Sequence, residues 1–180
     1  MDLRNGQELP SMYKICKTEK SIARQKLFQT TLLAMMKKNK FHDITVTSLA
    51  KEMGVPRKTF YRYYDSLEDV LDAIVDDALT EAFLNLEVKT DLVGFFSYWK
   101  KRKSLLDVLQ KSGLSHLLIN RIFERFNESI DKGNFTNEEL RYSGYISAIM
   151  TMLLTWHHSG MKQSPEEMSQ EVKHMFKIED

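Results

Sequence analysis

Residues 45–64 read TVTSLAKEMGVPRKTFYRYY, and the spacing within this stretch decides the fold of the amino-terminal part of the chain. Ala50 is small enough for two helices to cross closely, and Gly54 can adopt the left-handed backbone that reverses the chain direction. Pro56 is tolerated in the first turn of a helix, so it marks the start of a second helix over 57–64. The apolar wedge between the helices is expected to comprise Leu49, Met53, Val55 and Phe60. The stretch therefore predicts a helix-turn-helix.

The second helix offers cationic and hydroxyl side chains, with no acidic residue over 57–64. Its outward residues are expected to be Arg57, Lys58, Thr59, Tyr61, Arg62 and Tyr63. Arginine can fork onto a guanine edge, and lysine, threonine and tyrosine can bond phosphate oxygens. A basic helix can also be a solvated surface of some other fold. The joint spacing of Ala50, Gly54 and Phe60 favours a helix that reads DNA.

This stretch resembles the tetracycline-repressor (TetR) family of bacterial transcription regulators. The matching residues are Thr47, Leu49, Ala50, Gly54, Val55, Thr59, Phe60, Tyr61, Tyr63 and Tyr64. The similarity continues through SLEDVLDAIV at 66–75 and covers about residues 20–83. The resemblance implies that Thr47 caps its helix and contacts a phosphate, and that Arg57 and Lys58 approach bases or backbone. The residues implied to hold the second helix in the groove are Thr59, Tyr61 and Tyr63.

The chain departs from the family pattern at two positions. The family often has a lysine at the start of its fourth helix that reaches a phosphate, whereas this chain has Leu67, with Asp65 shortly before it. Lys58 stands where a small residue is common. We therefore expect that phosphate contact to be missing and the sequence preference to differ from that of better-matched relatives.

Charge is distributed unevenly along the 180 residues, which are enough to bury a proper core. Residues 1–66 carry 13 basic and 6 acidic side chains, whereas residues 67–180 carry 13 and 19. The positive part contains the predicted DNA reader. This asymmetry concentrates the phosphate-attracting field at the reader.

Several features of the sequence indicate a cytoplasmic protein. No apolar run approaches the roughly 18 residues that a membrane span needs, and the start, MDLRNGQELPSMYKICK, has no apolar core of a secretory signal. Cys16 is the single cysteine, so no internal disulfide can form, which fits a reducing compartment. No cofactor is implied.

The periodicity predicts an all-α chain in three parts: a flexible tail over 1–17, the helix-turn-helix domain with a linking fourth helix over 18–83, and a helical effector-binding and dimerisation domain over 84–180. Thr18 can cap a first helix that runs to about Asn39, and Thr47 can cap the next. The inward stripe of the first helix is expected to be Ala23, Leu27, Phe28, Leu32, Met35 and Met36.

The fourth helix is predicted to start at a capping pair, Ser66 with Asp69. Its apolar side comprises Val70, Leu71, Ile74, Val75, Ala78, Leu79, Ala82 and Phe83. A polar interruption over 85–91 predicts the domain boundary. Further helices are expected at about 91–102, 104–112, 115–132, 138–159 and 165–177, with start signatures at Thr136 and Ser164.

The carboxy-terminal half holds both tryptophans and many other aromatic residues. Such residues usually form a core, but the family resemblance implies a small-molecule pocket. The candidate lining residues are Tyr98, Trp99, His116, Phe123 and Tyr145.

One face of the helix at 138–159 is made of small residues and lies opposite bulky Ile149, Leu153 and Trp156. The candidate dimer-interface residues on this face are Gly144, Ala148, Thr151 and Thr155, together with Ser147. A smooth face lets another helix approach closely. It either packs against its own domain or joins the last helix in a two-fold interface like that of the resembled family.

Together these features predict a homodimeric regulator of transcription that binds an inverted-repeat operator, because one recognition helix reads too few bases by itself. The family represses more often than it activates, so we expect a repressor that an effector releases. The alternatives are an activator controlled by a protein partner and an interaction module that does not bind DNA. An enzyme is disfavoured because the sequence has no glycine-rich nucleotide loop, HExxH motif or nucleophile elbow. His157 and His158 are adjacent and point to different helix faces, so no metal site is expected.

Overall fold

The computed structural model describes residues 14, 16, 18–84, 91–131 and 136–177. The described residues form nine α-helices and a short 3₁₀ turn at Phe41–Asp43, without a strand, which confirms the predicted all-α class. The helices are α1 (Glu19–Lys38), α2 (Val46–Glu52), α3 (Arg57–Phe60), α4 (Leu67–Leu84), α5 (Leu92–Lys101), α6 (Lys103–Lys111), α7 (His116–Asp131), α8 (Asn137–His158) and α9 (Pro165–Phe176). Among these helices, none is long and apolar enough to cross a membrane.

The chain divides into two compact units. The first, named the reader unit after the function predicted for it, contains α1 to α3, α4 as far as Ala78, and Val108–Leu114. The second, named the regulatory unit in the same way, contains the rest of α4, α5, the start of α6, and α7 to α9. The predicted tail over 1–17 lies outside the described residues except for Lys14 and Cys16, and so does the predicted boundary except for Asp91.

Side-chain caps set the starts of most helices. Thr18 begins α1, Thr136 begins α8 and Ser164 begins α9, each accepting a hydrogen bond from the backbone three residues later, as predicted. The prediction for α2 is wrong by two residues. Thr45, not Thr47, is its cap, because Thr45 and Ser48 bond reciprocally, with Ser48 N donating to Thr45 Oγ1 at 3.0 Å.

Gly54 ends α2 in the predicted left-handed conformation, with φ of +65°. Gly54 N donates to Lys51 O and Val55 N donates to Ala50 O, both at 3.0 Å. These two bonds satisfy carbonyls that the end of the helix would otherwise leave unpaired. Gly54 thus turns the chain within the three residues that separate α2 from Pro56.

The recognition helix is shorter than the predicted 57–64, because α3 ends at Phe60 and residues 61–63 form turns. Asp69 accepts hydrogen bonds from the backbone of Asp65 and Ser66 at 2.9 and 3.2 Å, which starts α4 at once. The chain must leave helical geometry before that cap. The aromatic and β-branched residues over 59–64 also have modest helix propensity.

An aromatic cluster holds the recognition helix against α1. The Phe28 ring lies 5.5 Å from the Phe60 ring, 6.1 Å from the Tyr64 ring and 5.8 Å from the Tyr63 ring. Phe28, Phe60 and Tyr64 have no exposed surface. Burial of several such rings is the main contribution that fixes the angle of this short helix.

The inward stripe of α1 is narrower than predicted. Phe28, Leu32 and Met36 are fully buried, whereas Ala23 is exposed and Leu27 is 45% exposed. In the predicted wedge Leu49 and Phe60 are fully buried, but Met53 and Val55 are partly exposed. The apolar side predicted for α4 is buried throughout.

In the regulatory unit, α5 packs on α9 and α7 packs on α8. Its core contains Phe95, Phe96 and Trp99 of α5, with the Phe96 ring 5.6 Å from the ring of Trp156. The five predicted helices of this region are present, with ends within two residues of the expected positions. Predicted breaks at Gly113 and Gly160 coincide with positive φ angles of 73° and 92°.

Candidate nucleic-acid interface

The predicted DNA-reading residues lie on α3 and the turn that follows it. Arg57, Lys58 and Arg62 are exposed, and Tyr61 is 38% exposed. Thr59 and Tyr63 are partly buried, because the side of the segment that carries Phe60 and Tyr64 faces α1. The structure thus brings three cations and a tyrosine to one short surface segment.

Arg57 is held by Tyr61, one helical turn away. Arg57 Nη2 and Nε donate to the Tyr61 hydroxyl at 2.7 and 3.2 Å, and the guanidinium lies 5.4 Å from the centre of the ring. Residues four apart on a helix face each other, which makes this pair possible. Both residues were predicted as separate DNA contacts, and their contact with each other was not predicted.

Lys14 adds a cation that the sequence analysis left in an unassigned tail. Its Nζ lies 2.8 Å from the Asp65 carboxylate and donates to Tyr61 O at 2.5 Å. Gln25 of α1 in turn donates to Lys14 O at 2.7 Å. Because Asp65 directly follows the reader segment, its pairing with Lys14 reduces its repulsion of a phosphate. No pattern in the sequence pointed to this contact, which joins residues about 50 positions apart.

Thr47 and Leu67 differ in their exposure, and therefore in whether their side chains are accessible to DNA. Thr47 is the second residue of α2 and is exposed, so it is free of the capping role predicted for it. Leu67 is only 8% exposed, at the first position of α4. Leu67 therefore contributes to the core.

The five candidate pocket residues have different surroundings in the regulatory unit. Trp99 is fully buried, whereas Phe123 is 63% exposed and His116 is exposed. The Tyr98 hydroxyl donates to Glu81 at 3.0 Å, and burial raises the pKa of Tyr98 well above its usual value. Tyr145 is 8% exposed, and its ring lies 4.8 Å from that of Phe176. Their grouping into one pocket lining therefore stays a prediction.

A depression between α8 and α9 has a volume of about 720 Å³. Tyr145 is the one pocket candidate among its lining residues, which are Glu138, Leu140, Arg141, Tyr142, Gly144, Tyr145 and Phe176. Burial raises the pKa of Tyr145 to about 12. Most of the lining is aromatic or aliphatic. This surface was not predicted from the sequence, because it depends on the contact between the end of α9 and α8.

The small-residue face of α8 points outward. Gly144, Ser147, Thr151 and Thr155 are exposed and Ala148 is partly exposed, whereas Ile149, Leu153 and Trp156 are buried. Two arrangements were predicted as alternatives for this face. In the part of the chain that the structure describes, the face is not packed against its own unit. The candidate dimer-interface residues remain accessible to another molecule.

Two polar clusters in the regulatory unit carry no predicted role. Glu81 accepts from Tyr98 and also pairs with Arg102. His157 is 5% exposed, and its Nε2 lies 2.8 Å from Asp107 Oδ1. Groups of three or more histidine, cysteine or acidic side chains suited to a metal ion are not found in the part of the chain that the structure describes.

Comparison with known proteins matches residues 92–177 to the TetR-type family described as a transcriptional regulator C-terminal region. An uncharacterised HTH-type transcriptional regulator of Bacillus subtilis (strain 168), YxbF, is 26% identical over 157 residues, which are 78% of this chain and 41% of that protein. The HTH-type dhaKLM operon transcriptional activator DhaS of Lactococcus lactis subsp. lactis (strain IL1403) is 24% identical over 111 residues, which are 60% of this chain and 56% of that protein. The chain spans about half the length of these curated relatives. No solved structure matches.

The comparisons and the fold agree on one kind of protein. The matched family covers α5 to α9, and the relatives are both named as HTH-type transcriptional regulators. The helix-turn-helix built around Gly54 lies in the part that precedes the matched region. Over residues 92–177 this chain is therefore similar to the C-terminal region of TetR-type transcriptional regulators, and over a longer stretch it is similar to HTH-type regulators.

Proposed function

We propose that this chain binds DNA as a homodimer at an inverted-repeat operator and represses transcription in the cytoplasm until an effector releases it. The observation that carries the DNA-binding part is the exposure of Arg57, Lys58 and Arg62 on a segment without an acidic residue. Such a segment suits phosphates and the guanine edge in the major groove. Thr47, Thr59 and Tyr63 are proposed as neighbouring contacts that position the reader.

The dimer is proposed from two independent arguments. A single recognition helix as short as Arg57–Phe60 reads too few bases for a specific site, whereas two helices about 34 Å apart read successive major grooves. The outward small-residue face of α8, with Gly144, Ala148, Thr151 and Thr155, supports close approach of a second copy. An inverted-repeat operator follows from two-fold symmetry.

Release by an effector is proposed as the mode of control. An effector that prefers the regulatory unit in one conformation lowers operator affinity, and linkage then requires operator DNA to weaken effector binding equally. Tyr145, one of the five candidate pocket residues, lines the depression between α8 and α9, which supports that depression as the place to look for the ligand. If no ligand from a broad library changed operator affinity, control by a protein partner would be favoured.

Activation is the second candidate output. The observation in its favour is that one relative, DhaS, is named as a transcriptional activator. A reporter driven by the selected operator distinguishes the two outputs, since deletion of a repressor raises expression and deletion of an activator lowers it.

The DNA-binding proposal is tested by selecting bound duplexes from a random pool with the full chain. Replacing both Arg57 and Lys58 with Ala should lower affinity for the selected duplex about 100-fold or more, because one good bidentate base contact contributes about 1–3 kcal/mol and a phosphate contact is lost as well. Binding curves at several salt concentrations provide the measurement.

The matched control is the double variant Lys101→Ala and Lys162→Ala, which removes the same charge from exposed positions in the regulatory unit. This control should bind the duplex as the unmodified chain does. Both double variants should keep their helical content by circular dichroism. Unchanged DNA binding by the Arg57/Lys58 variant would favour a helix-turn-helix that packs only against protein.

A further inference from the structure

Tyr61 was expected to contact DNA directly, but its closest polar partner is Arg57. The Tyr61 hydroxyl accepts from Nη2 and Nε of Arg57, and both nitrogens lie on the same edge of the guanidinium. A guanidinium has five N–H donors in a fixed planar fork. The hydroxyl therefore occupies one edge and leaves the other edge, with Nη1 and the second N–H of Nη2, open.

The open edge has the geometry that a guanine requires. Two parallel N–H donors of arginine match O6 and N7 of guanine in the major groove. An arginine on an exposed helix normally loses considerable side-chain freedom when it binds. Here Tyr61 restricts that freedom in advance, through the hydroxyl and through the ring beneath the guanidinium at 5.4 Å.

Tyr61 is itself held in place. Its ring meets the fully buried Phe60 ring edge-on, at 5.4 Å and 89°. Its carbonyl oxygen accepts from Lys14 Nζ at 2.5 Å. Because both its ring and its backbone are anchored, Tyr61 can orient Arg57 and not merely follow it.

We infer that Tyr61 is a positioning residue, which fixes Arg57 so that the Nη1–Nη2 edge reads one guanine in each half-site of the operator. The inference rests on the proposed DNA-binding function. It adds which base Arg57 reads and which edge of the guanidinium reads it. Tyr61 then affects which base is chosen, whereas a tyrosine that bonded a phosphate would affect all duplexes alike.

Tyr61→Phe is the variant that tests this inference, because it removes the hydroxyl and keeps the ring on Phe60. The first step is to find the guanine that Arg57 reads. At that operator position, replacing guanine with adenine lowers the affinity of the unmodified chain but does not change the affinity of Arg57→Ala. For the unmodified chain, replacing this guanine with adenine should lower the affinity by about 10- to 100-fold. In Tyr61→Phe the ratio of the affinities for the guanine and adenine duplexes should be about 3- to 10-fold smaller, because one charge-assisted hydrogen bond is lost.

Two further readouts separate positioning from direct contact. The salt dependence of binding should be the same for Tyr61→Phe as for the unmodified chain, since no phosphate contact is lost. In the Arg57→Ala background, Tyr61→Phe should have no additional effect, because Tyr61 then has nothing to orient. Circular dichroism and thermal unfolding of each variant check that the fold is retained.

Three outcomes would overturn the inference. In the first, Tyr61→Phe weakens binding to every duplex equally and lowers the salt slope by about one, which indicates a direct phosphate contact. In the second, Tyr61→Phe leaves guanine discrimination intact while Arg57→Ala abolishes it, which leaves Tyr61 without a positioning role. In the third, the unmodified chain selects no duplex at all, and the proposed DNA-binding function fails together with the inference.

Discussion

His157 is a buried side chain that is paired with a carboxylate. It lies on α8 with 5% of its surface exposed, and its Nε2 contacts Asp107 of α6 at 2.8 Å. Asp107 also pairs with Lys103 at 2.6 Å. Burial by itself would raise the pKa of the Asp107 carboxyl, but hydrogen bonds from Lys103 and His157 outweigh it and hold that pKa below the usual value.

Replacing Asp107 with Ala should lower the free energy of unfolding by about 1–3 kcal/mol at neutral pH, because a buried imidazole nitrogen then loses its partner. Asp107→Asn should cost less, since the amide oxygen can still accept. Urea unfolding of the three proteins, followed by circular dichroism, measures the differences.

The pH dependence of this pair has a definite sign. Since folding lowers the pKa of Asp107, the carboxylate stabilises the fold above its unfolded value of 3.8, and this contribution is lost as the pH falls through the folded pKa. The stability difference between the unmodified chain and Asp107→Asn should therefore narrow below pH 3.8. A difference that stayed constant through this range would show that the charge of Asp107 does not matter.

Individual residues were predicted well at most caps and turns, although not at Thr47, and poorly where tertiary packing decides. Gly54, Thr18 and Ser164 were assigned correctly, because caps and left-handed turns depend on a few local atoms. Phe123 was proposed for a pocket but is 63% exposed. Periodicity indicates that an aromatic residue lies on a helix, but it does not indicate which residues pack against that side chain. The lining of a pocket therefore cannot be predicted from periodicity.

At the level of elements, the recognition helix was the least predictable part. Its start follows from Pro56, but its end depends on the cap formed by Ser66 and Asp69, six residues beyond Phe60. The same cap was recognised as the start of α4, although its effect on the preceding helix was not. Local signals therefore located both elements and left the length of the turn between them undetermined.

The turn between α2 and α3 should depend on glycine for backbone reasons alone. A Cβ at Gly54 would meet nothing within 4 Å, so Ala at this position introduces no clash. With φ of +65°, however, Gly54→Ala should cost about 1–2 kcal/mol, the cost of a left-handed conformation in an L-residue. It should also lower operator affinity, since the turn sets the angle of α3. Thermal unfolding and DNA binding measure the two effects.

Gly113 provides the matched control for that substitution. It has φ of +73°, and a Cβ there would also meet nothing within 4 Å, but it lies between α6 and α7. Gly113→Ala should therefore lose a similar amount of stability and keep its operator affinity. Equal losses of DNA binding in the two variants would mean that general destabilisation, and not the angle of α3, explains the effect.

For the whole molecule, the predicted all-α class is confirmed, whereas the DNA reader and the control mechanism remain predictions. The charge contrast between residues 1–66 and 67–180 agrees with a reader unit that carries the exposed arginines. Membership of the units was less predictable. Val108–Leu114 belongs to the reader unit, where Ser112 Oγ accepts from Phe41 N at 3.1 Å, although the residues were assigned to the carboxy-terminal domain. Periodicity in the sequence cannot predict a contact between residues that are 71 positions apart.

Assembly is the property of the whole molecule on which operator binding should depend most. Thr151 lies in the middle of the outward small-residue face of α8, so Thr151→Arg would place a long cation where a second copy is proposed to pack closely. This variant should sediment as a monomer and bind the operator about 100-fold more weakly or worse, because linking two readers raises affinity by roughly 10²- to 10⁴-fold. Asn120→Arg, which adds the same charge to an exposed position on α7, should remain a dimer with unchanged affinity. A Thr151→Arg variant that stayed dimeric and bound tightly would place the subunit interface on another surface.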